Sequence, residues 1–338
     1  MFHELGVIYF DTYHMKILII LFLFLFSAAQ VRGQNIIEHY VAQNDSMRIG
    51  FEKSAFLPYN ESGYTLILPD SLRNIHGVLI SFEDKRFNLH ANSKQQIYHE
   101  ALAKSFAVLY VSTGIPVDLF FSVKSVVYVD TTIKTVFDTY HLPNKNIFYL
   151  GVNLSGHRAL KYIEFCKQGK SKFVPHVKGI VLCDGVLDWV RQWYEGKKAI
   201  RDNFTESSIY EGKVVTYLLE KNLKATPKTN LEKYLDFSPY SYFDETNRHI
   251  KYFNEYAVRA YTEPATYYWL DAKRKTTFDT NFPDMVGFIT EQKLAGNKKS
   301  ELIVFNQDRT NMDRRNPNYT WGLVDKAELL NWMIAQTK

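Results

Sequence analysis

A hydroxyl, an imidazole and a carboxylate are the side chains from which acyl-transfer enzymes assemble a nucleophile, its base and the group that orients that base. Residues 147–160, read as IFYLGVNLSGHRAL, hold Ser155 and His157 close together in sequence. Carboxylates stand at Glu263 and, after an apolar run, at Asp184 and Asp188. Residues two apart at a helix start do not face each other, so His157 is a poor base for Ser155. Ser155 is therefore expected to cap the helix or to fill a small-residue slot. Asp188 is expected to cap the next helix, and His141, His157, His176 and His249 to be surface or structural residues. Asn153 occupies the turn itself, and an amide nitrogen is no nucleophile at neutral pH.

The elements that must position these groups follow from hydrophobic patterning. Residues 147–150 read as a buried strand and 155–166 as a helix, with a sharp turn between them. Asparagine is among the few non-glycine residues that tolerate positive φ there. Strand-like runs at 63–69, 77–82, 107–112, 177–183, 256–261 and 301–305 alternate with helical spacing at 93–106, 124–140, 264–275, 282–294 and 324–335. Such alternation predicts an α/β fold: a mostly parallel central sheet flanked by helices on both faces. Residues 188–250 are aromatic, charged and without a strand, and are expected to form a helical cap insertion over the sheet's carboxyl edge, where open α/β sheets bind ligands. Residues 34–62 read as a polar lead-in to a domain spanning 63–338. The helical spacing of Trp189 and Trp193 suits packing against the sheet. With Tyr194, Tyr210, Tyr217, Tyr240 and Tyr242 it also suits a binding surface.

The stretch GVNLSG resembles the nucleophile elbow of the α/β-hydrolase fold, and the chain is similar, from residue 63 to its C-terminus, to secreted serine esterases and peptidases of that fold. The resemblance implies that Asn153 stands in the serine place. In AVRAYTEPATYYW it puts Ala265 in the acid place, and in NPNYTWGLVDKAELLNWM it puts Tyr319 in the histidine place. Each substitution removes a separate role: the acyl acceptor, the orienting carboxylate and the group that titrates near neutrality. The loop after residues 77–82, which in the family supplies backbone donors to an oxyanion, here carries Glu83, Asp84, Lys85 and Arg86. The expectation is a non-catalytic pseudo-hydrolase with a binding or scaffolding role. The alternative is an active ester or peptide hydrolase using Ser155 as a relocated nucleophile.

With 46% hydrophobic residues, the chain can bury a large core. A net charge of +5, with basic residues scattered as Lys170 and Lys172, 273–275, and Lys298 and Lys299, argues against a nucleic-acid partner. A small molecule, peptide or protein at the cap-covered cleft is the expected partner. From Met15 the chain has the form of a secretory signal peptide ending near residue 33, with an upstream extension at residues 1–14. Its apolar run at 17–26 is shorter than the roughly 20 residues of a membrane-spanning helix. A secreted or periplasmic location without a stable membrane anchor follows. Cys166 and Cys183 read as buried apolar side chains, with a disulfide as the alternative. The absence of zinc-type Cys or His spacing leads to an expectation of no metal and no cofactor. The triplets at residues 60–62 and 203–205 are glycosylation sequences that matter only in a host that glycosylates.

Overall fold

The computed structural model describes residues 35–42, 61–70, 74–84, 86–88, 97–113, 118–305 and 319–338. Eight strands form one sheet: β1 (Asn35–Ala42), β2 (Glu61–Leu68), β3 (Gly77–Glu83), β4 (Phe106–Thr113), β5 (Ile147–Val152), β6 (Val177–Cys183), β7 (Ala257–Thr262) and β8 (Ser300–Val304). Their spatial order is β1-β2-β4-β3-β5-β6-β7-β8. β2 runs antiparallel to β4, and every neighbouring pair from β4 through β8 is parallel. The helices are α1 (Tyr98–Ala103), α2 (Val123–Tyr140), α3 (Leu154–Lys167), α4 (Trp189–Asp202), α5 (Glu206–Leu223), α6 (Leu231–Phe237), α7 (Thr266–Lys273), α8 (Phe282–Leu294), α9 (Tyr319–Leu323) and α10 (Lys326–Ala335).

A strand buried on both faces reads as a continuous apolar run, and β5 shows why. Ile147 and Tyr149 join one core with α2, α3 and α8, whereas Phe148 and Leu150 join the opposite core with α1 and α10. Burying Ile147, Phe148 and Leu150 contributes roughly 1.5–3 kcal/mol each. α2 turns Val126, Val129, Ile133, Val136 and Phe137 inward at helical spacing. Within that face its buried Asp130 accepts bonds from the Tyr162 hydroxyl (2.8 Å) and the Lys172 N–H (2.8 Å), so the helix meets α3 through a satisfied carboxylate.

Between β6 and β7 lie three α-helices, α4 to α6, a single 3-10 turn at Ile250–Tyr252, and no strand. α4 and α5 approach so closely that a Cβ on Gly212 would sit 2.6 Å from the Gly196 carbonyl oxygen, which only glycine permits. Trp189, Trp193, Leu219, Tyr234 and Phe237 form a third core there. Both tryptophans thus pack inward, each with its indole N–H bonded: Trp189 to His157 Nδ1 and Trp193 to Glu220, both at 2.8 Å.

Several sequence expectations are corrected. The lead-in is not wholly irregular, because residues 35–42 form an edge strand of the sheet. Its exposed side chains carry no apolar alternation to reveal it. Of the helix expected at 93–106, Tyr98–Ala103 is helical and Phe106 already belongs to β4; residues 93–96 lie outside the described residues. The elbow helix starts at Leu154, one residue earlier than expected. The two cysteines are free thiols. Cys166 packs against one face of the sheet and Cys183 belongs to the core on the other, so the sheet separates them. Burial pushes the Cys166 thiol up to about 12 and Cys183 well above its ordinary value, which keeps both protonated and inert. The expected signal sequence at residues 15–33 and Asn60 of the first triplet lie outside the described residues, whereas Glu61 and Ser62 of that triplet belong to β2. Among the described residues no helix is long and apolar enough to cross a membrane.

Candidate functional site

Asn153 stands at the end of β5 with φ 55° and ψ −122°, a strained conformation that projects it from the turn between strand and helix. Packing enforces the turn. A Cβ on Gly151 would lie 2.4 Å from the Gly156 Cα, and one on Gly156 would lie 3.0 Å from the Gly185 Cα. The glycine that this close approach requires is therefore Gly156, which leaves position 155 free to carry a side chain. The Asn153 N–H bonds the Cys183 carbonyl at 2.9 Å, and the Asn153 carbonyl accepts the N–H of Gly156 (3.0 Å) and of Val186 (3.3 Å). The elbow is thereby tied to the end of β6.

Ser155 is buried, with its hydroxyl donating to the Leu150 carbonyl (3.2 Å) and accepting from the Phe82 N–H (3.3 Å). Those bonds stitch the ends of β5 and β3 together. His157 is fully buried; its Nε2 pairs with the Leu119 carbonyl at 2.9 Å and its Nδ1 accepts the Trp189 indole N–H. Burial holds its imidazole well below the usual histidine value, and so neutral. The serine and the histidine that lie together in sequence thus take separate partners. His249 is buried beside Glu164, whereas His141 and His176 are exposed.

Above the elbow, between the sheet and the cap, lies a cavity of about 620 Å³. Asn153, Asp184 and Glu263 line it from the strand ends, and Trp189, Leu218 and Trp269 are among its apolar walls. Asp184 follows directly on β6 with φ 45°. Its carboxylate accepts the Thr262 hydroxyl at 2.6 Å, from the end of β7, and the Thr320 hydroxyl, from α9. Burial raises the Asp184 carboxyl, against which the two hydroxyl donors act. Ala265 adopts a left-handed conformation (φ 38°) and caps α7, two residues beyond Glu263. Tyr319 opens α9, immediately before Thr320. Asn153 and Glu263 thus share the cavity; Ala265 and Ser155 are not among its lining residues.

The acidic residue that ends β3 and the one that follows it have partners. Glu83 accepts the Ser81 hydroxyl at 2.8 Å, and Asp84 pairs with Arg158, whose Nε donates to the Asp118 carbonyl at 2.6 Å. Lys85 lies outside the described residues. The cap is hinged by a second network. Asp188 caps α4 by accepting the N–H of Val190 and Arg191, each at 3.0 Å. Asp284 of α8 takes the N–H of Leu187 and Asp188 (2.9 and 3.1 Å) and a bidentate pair from Arg191 (2.7 and 2.8 Å). Among the described residues no group of three His, Cys, Asp or Glu side chains is placed to hold a metal ion.

Sequence reasoning noted Asp184 as a strand-end carboxylate but missed Thr262 and Thr320, the hydroxyls that meet it. A threonine closing an apolar strand carries no signal that it faces a carboxylate from another strand.

Comparison with known proteins gives the class. No family model matches the chain, and no curated protein matches it in sequence. Solved structures do match. The acylaminoacyl peptidase of Pyrococcus horikoshii superposes with a TM-score of 0.52 at 11% identity, over 93% of this chain and 43% of the peptidase. An esterase of Pyrococcus furiosus gives 0.50 at 11% identity, covering 91% of this chain and 93% of its own. Carboxyl esterase 2 of Tuber melanosporum gives 0.51 at 9% identity, covering 91% and 87%. The chain has the α/β-hydrolase fold; it spans less than half the length of the peptidase.

Proposed function

We propose that the protein is a pseudo-hydrolase: it binds a ligand in the cap-covered cavity and does not turn it over by a serine mechanism. The observation that carries this reading is Asn153, held at φ 55° on the elbow and facing the cavity. The turn that would activate a nucleophile is kept, and its residue has no hydroxyl to acylate. The bonds of Ser155 to Leu150 and Phe82 speak against its use in place of residue 153. A cavity of about 620 Å³ lies within the size range of small-molecule sites, which supports a small molecule or the end of a peptide as the occupant. Apolar walls suit an apolar body, and the carboxylates at the floor suit a hydrogen-bond-donating head. The leader-like sequence at residues 15–33 supports export, with the ligand met outside the cytoplasm.

Labelling the purified, folded mature chain with a fluorophosphonate, beside an active serine hydrolase, tests this. No labelling is expected. Adduct formation at Ser155, abolished by Ser155→Ala, would overturn the reading in favour of a relocated nucleophile.

A further inference from the structure

The cavity between sheet and cap sorts its charges. Among the described residues its lining carries five carboxylates and two lysines. Two of the carboxylates have cations of their own: Lys275 bonds Glu195 at 2.7 Å, and Lys198 of α4 pairs with Asp279. Lys273, the second lysine of the lining, donates to the Ser207 hydroxyl of α5 at 2.8 Å. Asp184 is treated differently. It takes the hydroxyls of Thr262 and Thr320 and the Glu263 N–H, and none of these partners is a cation. A carboxylate offers about four acceptor positions, so three donors leave room for one more. Burial has raised the Asp184 carboxyl, a shift that a nearby positive charge reverses. A neutral donor would fill the remaining position and leave the charge unbalanced; an N–H-bearing cation would do both.

The cap side of the cavity is apolar. Val214, Val215, Leu218 and Leu219 line it from α5 at helical spacing, and Trp189 joins them from the start of α4. We propose that the occupant is a protonated amine on an apolar body, its ammonium N–H bonded to Asp184 and its body against α5. The inference deepens the pseudo-hydrolase reading and rests on its cavity. Such an ammonium has two sources, a free alkyl- or arylalkylamine and the N-terminus of a peptide that begins with an apolar residue.

The test is calorimetric titration of the full chain near neutrality with 2-phenylethylamine, octylamine and phenylalanyl-alanine amide. Each is paired with a neutral counterpart: 2-phenylethanol, 1-octanol and the N-acetylated dipeptide amide. At least one amine is expected to bind at least about tenfold more tightly than its counterpart, and the one that does names the source. Asp184→Asn is expected to remove at least about tenfold of that amine's affinity and to leave the counterpart's within about twofold. Glu211→Gln, an exposed carboxylate of the same lining, is expected to cost less than about fivefold. The amine-to-neutral ratio is read on the parent chain, so poor folding of Asp184→Asn would still leave a decisive comparison. In that case Leu218→Trp, which crowds the apolar wall, is expected to weaken amine and counterpart alike at least about tenfold. A neutral counterpart that binds as tightly as its amine overturns the assignment. So does an amine preference that survives Asp184→Asn, or a folded chain that binds none of the amines. Those outcomes leave the elbow without a nucleophile, whereas fluorophosphonate labelling would break the pseudo-hydrolase reading and leave the amine comparison standing.

Discussion

Two carboxylates, 100 residues apart in sequence, one buried and one half-buried, show how differently the molecule treats its anchors and its floor. Asp284, beneath the cap hinge, is matched completely: a bidentate guanidinium from Arg191 and two backbone N–H groups. Asp184, on the cavity floor, has the hydroxyls of Thr262 and Thr320 as its side-chain partners. A carboxylate neutralised by an arginine holds structure together. One held by neutral hydroxyls, beside an elbow and under a cavity, keeps the polarity of a site. Glu164 on α3 belongs with the anchors, since Lys161 (2.7 Å) and His249 (3.2 Å) converge on it.

The largest expected effect separates these two kinds directly. Asp284→Ala strands the buried Arg191 and removes the acceptor of two N–H groups, and should cost about 3–5 kcal/mol in urea unfolding. Next comes acid stability. Burial alone would raise the Glu164 carboxyl, but His249 and Lys161 outweigh it and hold it at about 2. A depressed carboxyl contributes stability that is fully present above about pH 4.5 and is lost as pH falls toward 2. The contribution is about 3 kcal/mol. Unfolding free energies measured across that window should fall steeply for the parent and less steeply for Glu164→Gln. Equal slopes would remove Glu164 from the anchors.

Gly151→Ala should cost about 1–3 kcal/mol, because its new methyl meets the Gly156 backbone at 2.4 Å and no side chain can yield. A thermal melt unchanged by it would show that the elbow is looser than drawn. The smallest effect should come from Asp184→Asn in the otherwise unsubstituted chain. The amide keeps an oxygen for one threonine hydroxyl, and the cost should stay near 1 kcal/mol or less. A loss as large as that of Asp284→Ala would make Asp184 an anchor as well and erase the contrast.

How much of this was legible before folding varied by element. The span of β6, 177–183, and that of α8, 282–294, agree with their hydrophobic patterns, since both bury regular faces. The elbow was legible because asparagine marks positive φ and glycine marks a close backbone approach. β1 was not: an exposed edge strand has no buried face to imprint a period. The start of α7 was misplaced because Ala265, an ordinary helix former, takes a left-handed backbone. Ser155 and His157 lie two apart and read as unpaired, but which groups take them was not legible: Phe82 for the serine, Leu119 and Trp189 for the histidine, all from elsewhere in the fold.

The amino-acid sequence by itself determined the alternating α/β architecture, the helical cap between β6 and β7, and the turn that carries Asn153. These depend on periodicity, turn chemistry and burial over a few residues at a time. Only the tertiary structure decided that Asp184 rather than Ala265 meets the cavity, and that its partners are Thr262 and Thr320. The physical reason is range. A hydrogen bond between residues 136 positions apart exists only once strand order and helix packing bring the two together, and no local pattern encodes that meeting.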